Sequence, residues 1–528
     1  MAHDWKSYLG LAVIPAYLLI TILIGLASKR KPTTSNEFLN ATRSLPLWVV
    51  ASAFFSINCG ALEIVGLSAV AAQYGVQAFH FYWIGAIPGM VFLGGLMIPL
   101  YMRSGVQSLP EYLEKRFDAR VRFINAWLLL ITGTALSGIG LYGIAEVSNA
   151  VFGWPFSRSA AVAAGVVLIY SLLGGIRATI YNEVFRIVII ILGLLPLLWL
   201  PTTALRPTGL LTGPRAHLWL GLPRLSPASS LDQFGVIVGL GFVLSFSYWC
   251  TDFVLVQRAL TARTVATGRM VPLLAGFGKL GFSLLLIAPS LGARVFLGSR
   301  APGSFDQILP SLMVASYSPV LLGLGLTVLL ASLMSALASN VSAFSALWTQ
   351  EVYRTTIRPR EGEQHYIRVG RLAIVIATLL SIATSYTAFH FRDLMEYVQL
   401  IFSLFSAPFF AIFLIGLFSK RATSRGAIVG LVSGVAISLV HLFLVFSGRM
   451  PYGSMMIANF YIAMGGFLTA LVLGIACSSR AEQKSDAQLE KLVCHLRGPG
   501  RVTPPSTLWW LLAVALLGAC AVLNYVWR

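Results

Sequence analysis

Apolar residues run along this chain in long blocks, not in the alternation of strands. A run of about 18 or more predominantly apolar residues is long enough to cross a bilayer as a helix. Fourteen such runs can be marked, at 8–28, 46–73, 78–101, 121–152, 157–175, 185–206, 235–257, 270–296, 318–348, 367–390, 395–419, 426–447, 454–477 and 506–526. A transmembrane barrel would show segments of about ten residues with alternating polarity, and these blocks do not have that form. The pattern predicts an all-α integral membrane protein. Residues 1–528 read as one transmembrane unit, because no polar block between runs is long enough to fold separately.

The polar positions between the runs carry a second pattern. Of the 38 Lys and Arg residues, 27 are assigned to the connections after the odd-numbered runs and ten to the other side, and the remaining one, Lys279, lies within the eighth run. The 27 include Arg177 and Arg186 after the fifth run and Arg258 after the seventh. Basic loops stay in the cytoplasm, so the rich side is expected inside and both termini outside, in a multi-pass protein of the cell's inner (plasma) membrane. A missed run would invert every later connection and erase the bias.

Composition agrees. The chain is 57% hydrophobic and 11% charged, with mean hydropathy +0.80, whereas soluble domains are about 25% charged. Lipid must be the solvent for most of this surface. The net charge of +19 does not point to nucleic acid, since it sits in short loops between apolar runs. The five cysteines are scattered, without the paired spacing of a zinc site or a disulfide framework. The first run is long enough to span and has no basic region before it, so a cleavable signal is not expected.

Ionisable groups at membrane depth are costly and are functional candidates by default. Glu63 and Lys279 lie deep in the second and eighth runs, and an ion pair between them would neutralise both, whether for structure or for function. Glu146 and Asp252 lie nearer run ends, where solvation or capping explains them equally well. The stretch Ser56-Ile57-Asn58-Cys59-Gly60-Ala61 puts small and polar residues in mid-membrane. It reads either as a broken helix, which frees backbone groups for ions, or as close packing through small residues. Ser245-Phe246-Ser247-Tyr248 repeats the theme, and the ninth run carries Ser332, Ser335, Ser339, Asn340, Ser342 and Ser345.

Several motifs then share one family. They are Arg43-Ser44-Leu45-Pro46-Leu47-Trp48; Ser108-Leu109-Pro110-Glu111-Tyr112-Leu113; Gly174-Gly175-Ile176-Arg177-Ala178 leading to Asn182-Glu183; Val256-Gln257-Arg258; Ala331-Ser332-Leu333-Met334-Ser335 through Leu347-Trp348-Thr349-Gln350-Glu351; and Gly416-Leu417-Phe418 with Lys420-Arg421-Ala422-Thr423-Ser424-Arg425-Gly426. In this order, from about residue 10 to 430, the chain resembles the sodium:solute symporter family, to which the sodium–glucose cotransporters belong. The resemblance implies a LeuT-type 5+5 inverted repeat, with repeats at 46–206 and 235–419, a peripheral helix at 8–28 and three more within 426–526. The charge bias agrees, since the second run starts inside and the seventh outside.

The resemblance also implies a site. Asn58, Glu63, Tyr82, Ser245, Lys279 and Gln399 would bind the solute. Tyr248 would be an inner gate backed by Trp249, and Leu67, Phe81 and Met395 an outer one. Amides and an ammonium suit hydroxyl-rich ligands, so a small polar solute, a sugar or polyol first, is expected. Sugar carriers of the family have an amide where Glu63 stands and a carboxylate where Tyr82 stands. The coupling ion, sodium, would be held by Ser56, Cys59, Ser332 and Ser335. Ala336 lacks the hydroxyl expected of the fifth ligand, for which Ser339 or water would substitute. Glu183 would stand on the inner sodium path. Proton coupling through Glu63, organic-acid or amino-acid transport, and a non-transporting sensor relative are the alternatives. An enzyme is not expected, since the seven histidines are dispersed and no metal or phosphate motif appears. The 478–505 loop is too short for a sensor's output domain.

Overall fold

The computed structural model describes residues 12–13, 15–17, 19–21, 23, 46–106, 108–173, 176–199, 217–219, 231–478, 483–494 and 504–528. Its helices are α1 (Leu47–Asn58), α2 (Ala61–Tyr74), α3 (Phe81–Ser104), α4 (Leu109–Arg116), α5 (Ala119–Phe152), α6 (Phe156–Leu173), α7 (Ile176–Leu194), α8 (Gly235–Thr251), α9 (Phe253–Leu260), α10 (Val265–Leu291), α11 (Ile308–Ser316), α12 (Pro319–Ile357), α13 (Glu363–His390), α14 (Leu394–Phe418), α15 (Ser424–Phe446), α16 (Met455–Ala476) and α17 (Thr507–Val526). Among the described residues nine helices are long and apolar enough to span a membrane, and eleven if each of two bent pairs is one span. The 8–28 run, the Arg43-Ser44-Leu45 stretch and Gly174-Gly175 lie largely or wholly outside the described residues.

The two bent pairs are α1–α2 and α8–α9, bent by 50° and 53°. The first bend falls at Cys59-Gly60, in the small polar stretch, and the second at Asp252. Of the two readings of Ser56–Ala61, the broken helix is the one observed. Each break opens the expected repeat it belongs to. Both are packed in the middle of the bundle: α10 and α7 lie against α1, α3 and α14 against α8, and α12 against α2.

Glycines set the closest approaches. A Cβ on Gly85 would lie 2.5 Å from Ser245 Oγ, and one on Gly89 3.2 Å from Trp249 Cδ1. This small-xxx-small face lets α3 press against α8 where the site forms. Phe81–Ala86 and Gly235–Leu244 are wound as π-helix, an irregularity common at functional sites.

Three expectations change. α7 begins nine residues before the 185–206 run. Arg186 and Arg258 are therefore not loop residues: both are buried within helices, and the charge bias stands without them. Of the three helices expected at the periphery, α15 and α17 bury only 22% of their apolar windows, but α16 buries 61%. α16 packs on α8 and α14, and Asn459 donates to the Glu396 carbonyl (2.8 Å).

Candidate functional site

Between the two breaks lies a cavity of about 170 Å³. At roughly 15 Å³ per water on that measure, it has room for a small organic solute. Asn58, Glu63, Leu67, Phe81, Tyr82, Ser245, Tyr248, Trp249, Met395 and Gln399 all line it. Ten of the eleven solute and gate residues expected from the sequence are thus brought together.

The eleventh, Lys279, does not line the cavity. It sits on α10 behind Glu63, almost wholly buried, with an ion pair to the Glu63 carboxylate and a 2.9 Å hydrogen bond to the Asn58 carbonyl. The rings of Tyr82, Trp249, Phe55 and Phe282 surround its ammonium, their centroids 5.5–6.0 Å away. Its donors are committed within the protein, so it holds Glu63 and the end of α1 in place. An isolated ammonium here would be costly; the carboxylate, the carbonyl and the ring faces offset that cost.

Asn58 is similarly engaged. Its amide donates to the Phe54 carbonyl (3.0 Å) and its Oδ1 accepts from the Tyr248 hydroxyl (2.8 Å). That bond ties the first break to the second. Gln399 differs: its Nε2 points at Met395 Sδ (3.7 Å), and its Oε1 is buried with no partner among the described residues. A buried acceptor in a cavity wall invites a donor from a ligand.

Tyr248 separates this cavity from a smaller one of about 20 Å³ lined by Asn125, Thr132, Ser247, Thr251, Asp252 and Phe409 among others. Tyr248, Asp252 and Phe402 border both. Tyr248 packs on Phe402 (5.1 Å) and edge-on to Trp249 (5.3 Å), so its ring lies between the two cavities. Asp252 caps α9 by accepting from the Leu255 amide (2.9 Å), so of its two readings capping is the one observed. Glu146 is bonded to Gln307 Nε2 (2.8 Å), away from the cavity.

Of the residues expected to hold sodium, Ser56 and Cys59 lie at the first break, and Ser332 and Ser335 lie on α12, which abuts it. A Cβ on Gly60 would lie 3.6 Å from Ala336 Cβ, so α12 abuts the break at the position that lacks a hydroxyl. One turn away on either side, Ser332 Oγ and Ser339 Oγ are buried without partners among the described residues. Ser56 is occupied. Its carbonyl accepts from the Cys59 amide (3.1 Å) and from Arg186 Nη2, and its Oγ accepts from Arg186 Nε (3.2 Å). The Cys59 amide is shared with the Phe55 carbonyl (3.1 Å), so Arg186 is the main occupant of the Ser56 carbonyl in this conformation. Sequence reasoning missed Arg186 by placing it in a loop. The available signal was helical spacing, since it lies three residues after Glu183 and therefore on the same face. Glu183 is buried and paired with Arg258 (3.3 Å).

The chain matches the model of the sodium:solute symporter family over residues 38–206 and 226–434. It is 26% identical to the sodium/glucose cotransporter of Vibrio parahaemolyticus, covering 87% of this chain and 89% of that protein. It is 28% identical to the human sodium/myo-inositol cotransporter, covering 84% and 68% respectively. A Na+-coupled sialic acid symporter in a substrate-bound, outward-open state superimposes with a TM-score of 0.72 at 17% identity, over 89% of this chain and 97% of that one. That likeness shows the LeuT-type fold.

Proposed function

This chain belongs to the sodium:solute symporter family, and we propose that the solute it carries is a small hydroxyl-rich molecule, a sugar or polyol, bound between its two helix breaks. The protein is a multi-pass membrane symporter with sodium as its coupling ion, and not an enzyme. The named relatives handle glucose and myo-inositol, which supports the choice of solute class.

The observation that carries the reading is the cavity wall. Glu63 and Gln399 Oε1 present acceptors, Ser245 and Tyr82 present hydroxyls, and Tyr248 presents a ring face. Polyols bring many donors and acceptors on a compact frame with apolar C–H faces, and directional partners beside an aromatic floor match both. Lys279 acts by holding Glu63. Its ion pair fixes the carboxylate at the cavity wall, so that no buried charge is left without a partner. Leu67, Phe81 and Met395 close one side of the cavity and Tyr248 with Trp249 the other. Movement of α1–α2 and α8–α9 against the rest would open these gates in turn.

Uptake of labelled hexoses and polyols into proteoliposomes under an inward sodium gradient tests this. Accumulation is expected for at least one of them, and Gln399→Ala is expected to raise its KM about tenfold, the loss of one buried hydrogen bond to a ligand hydroxyl. Uptake confined to amino acids or carboxylates would overturn the solute class. Binding without uptake would favour a sensor.

A further inference from the structure

Arg186 is a buried guanidinium with no carboxylate beside it among the described residues. The other cations near the two breaks are paired: Lys279 with Glu63, and Arg258 with Glu183. Arg186 instead spends Nε and Nη2 on the hydroxyl and carbonyl of Ser56, and its Nη1 has no partner among the described residues. It is therefore a cation at membrane depth held by oxygen atoms at the end of a helix, where the backbone is negative. A bound sodium ion would need the same surroundings. Across the break stands Ala336, where the ion would lack one hydroxyl.

We propose that Arg186 is an internal competitor of the coupling ion, occupying the Ser56 side of the sodium position until sodium displaces it. This rests on the reading that Ser56, Cys59, Ser332 and Ser335 form that position. The geometry supports exchange over coexistence. Arg186 already takes the Ser56 carbonyl, and two positive charges on one carbonyl would repel at low dielectric. A grip on one neutral hydroxyl and one carbonyl is also weaker than a salt bridge, so Arg186 can leave where Lys279 and Arg258 cannot. A buried arginine is not by itself a competitor: Arg116 is equally buried on the carbonyls of Gly416, Ser419 and Ala422, but those lie at and just beyond the end of α14 and not at either break. The consequence is a weak apparent sodium affinity, because only the fraction of molecules with Ser56 free can bind.

Sodium-dependent thermal stabilisation of the purified full chain, with choline as control, tests this without relying on transport. Arg186→Gln is expected to lower the half-maximal sodium concentration about tenfold or more, as expected when a site more than nine-tenths blocked is freed. Ser56→Ala keeps the carbonyl and removes only the hydroxyl that accepts Nε. It should shift the midpoint the same way by a few-fold, and it provides the readout if Arg186→Gln does not fold. A wild-type response too weak to saturate, with a response gained in either variant, also supports the proposal. An unchanged or raised midpoint in the folded variants overturns it. Ser335→Ala separates the two levels. If it weakens the sodium response while the Arg186 and Ser56 variants shift nothing, the ion position stands and the competitor falls. If it leaves the response unchanged, the ion position and the competitor both fall.

Discussion

The break between α1 and α2 and the break between α8 and α9 bend the chain by nearly the same angle, yet they are stabilised in opposite ways. The first is held from outside its own helix. Lys279 from α10 and Arg186 from α7 donate to the carbonyls that end α1, and Glu63 sits in the first turn of α2. The second takes its charge from its own residue and only a neutral hydroxyl from another helix, α3. Asp252 caps α9 from within the break, and the Cys250 carbonyl at the end of α8 accepts from the neutral Tyr101 hydroxyl (3.2 Å). Both follow the same electrostatics, with cations or hydroxyls at C-terminal ends and a carboxylate at N-terminal ends. The difference lies in who supplies the charge. A break whose charges come from other helices senses their position more strongly than one that carries its own charged cap. The first is therefore the one suited to couple ion, solute and helix movement.

The largest test of this contrast is Lys279→Ala. It leaves the Glu63 carboxylate and the Asn58 carbonyl without their partner, and should cost about 3–5 kcal/mol and abolish solute binding. Lys279→Met with Glu63→Leu should recover most of the melting temperature, since no unpaired charge remains, yet still fail to bind solute. Normal solute affinity in that double variant would falsify the placement of Glu63 in the site.

The next test concerns a third capping acid, Asp393, which precedes α14 and accepts from the Glu396 amide (2.9 Å). Unlike Asp252 it stands near a second buried acid, Asp306, which accepts from the Leu394 amide (3.0 Å). Burial pushes the Asp393 carboxyl up to about 6, and burial with the Asp393 charge pushes Asp306 up as well. An acid raised in the folded state stabilises below its unfolded value near 4, and that contribution is lost as pH rises through the folded value. The melting temperature should fall between about pH 4 and 6, by at most about 2–3 kcal/mol of stability. Asp393→Asn, which still caps, should flatten the profile; a profile that stays steep would remove Asp393 as its source.

Asp252→Ala should cost about 1 kcal/mol, the worth of a cap, and Asp252→Asn much less. A cost as large as that of Lys279→Ala would erase the contrast between the breaks. A comparably small effect is expected for Tyr248→Phe, which cuts the hydrogen bond joining the two breaks. About 1 kcal/mol, or a few-fold in solute KM, should be lost, and an unchanged KM would mean that the two breaks move independently.

Much of this was legible along the chain. Glu63 with Lys279, the small polar stretch at 56–61 and the hydroxyl-rich ninth run all stood out against apolar surroundings, because polar groups in lipid need partners. Asp252, by contrast, had two readings until its bond to the Leu255 amide was seen. Lys279 was placed in the site by resemblance, while its distance from the cavity depends on rotation of α10 and on rings from four helices. Arg186 was misplaced because hydropathy marks where a helix meets lipid, not where it begins.

The pattern of apolar runs and basic loops determined that this is a many-helix membrane protein, because the free energy of moving a side chain between water and lipid depends on residue type more than on context. Motif order determined its family. Which cation faces which carbonyl was decided only in the tertiary structure. Lys279, Arg186 and Arg258 are alike as buried positive charges, and one-dimensional spacing does not say whether a carboxylate or a backbone oxygen from a distant helix lies within about 3 Å of each, the range over which a hydrogen bond acts.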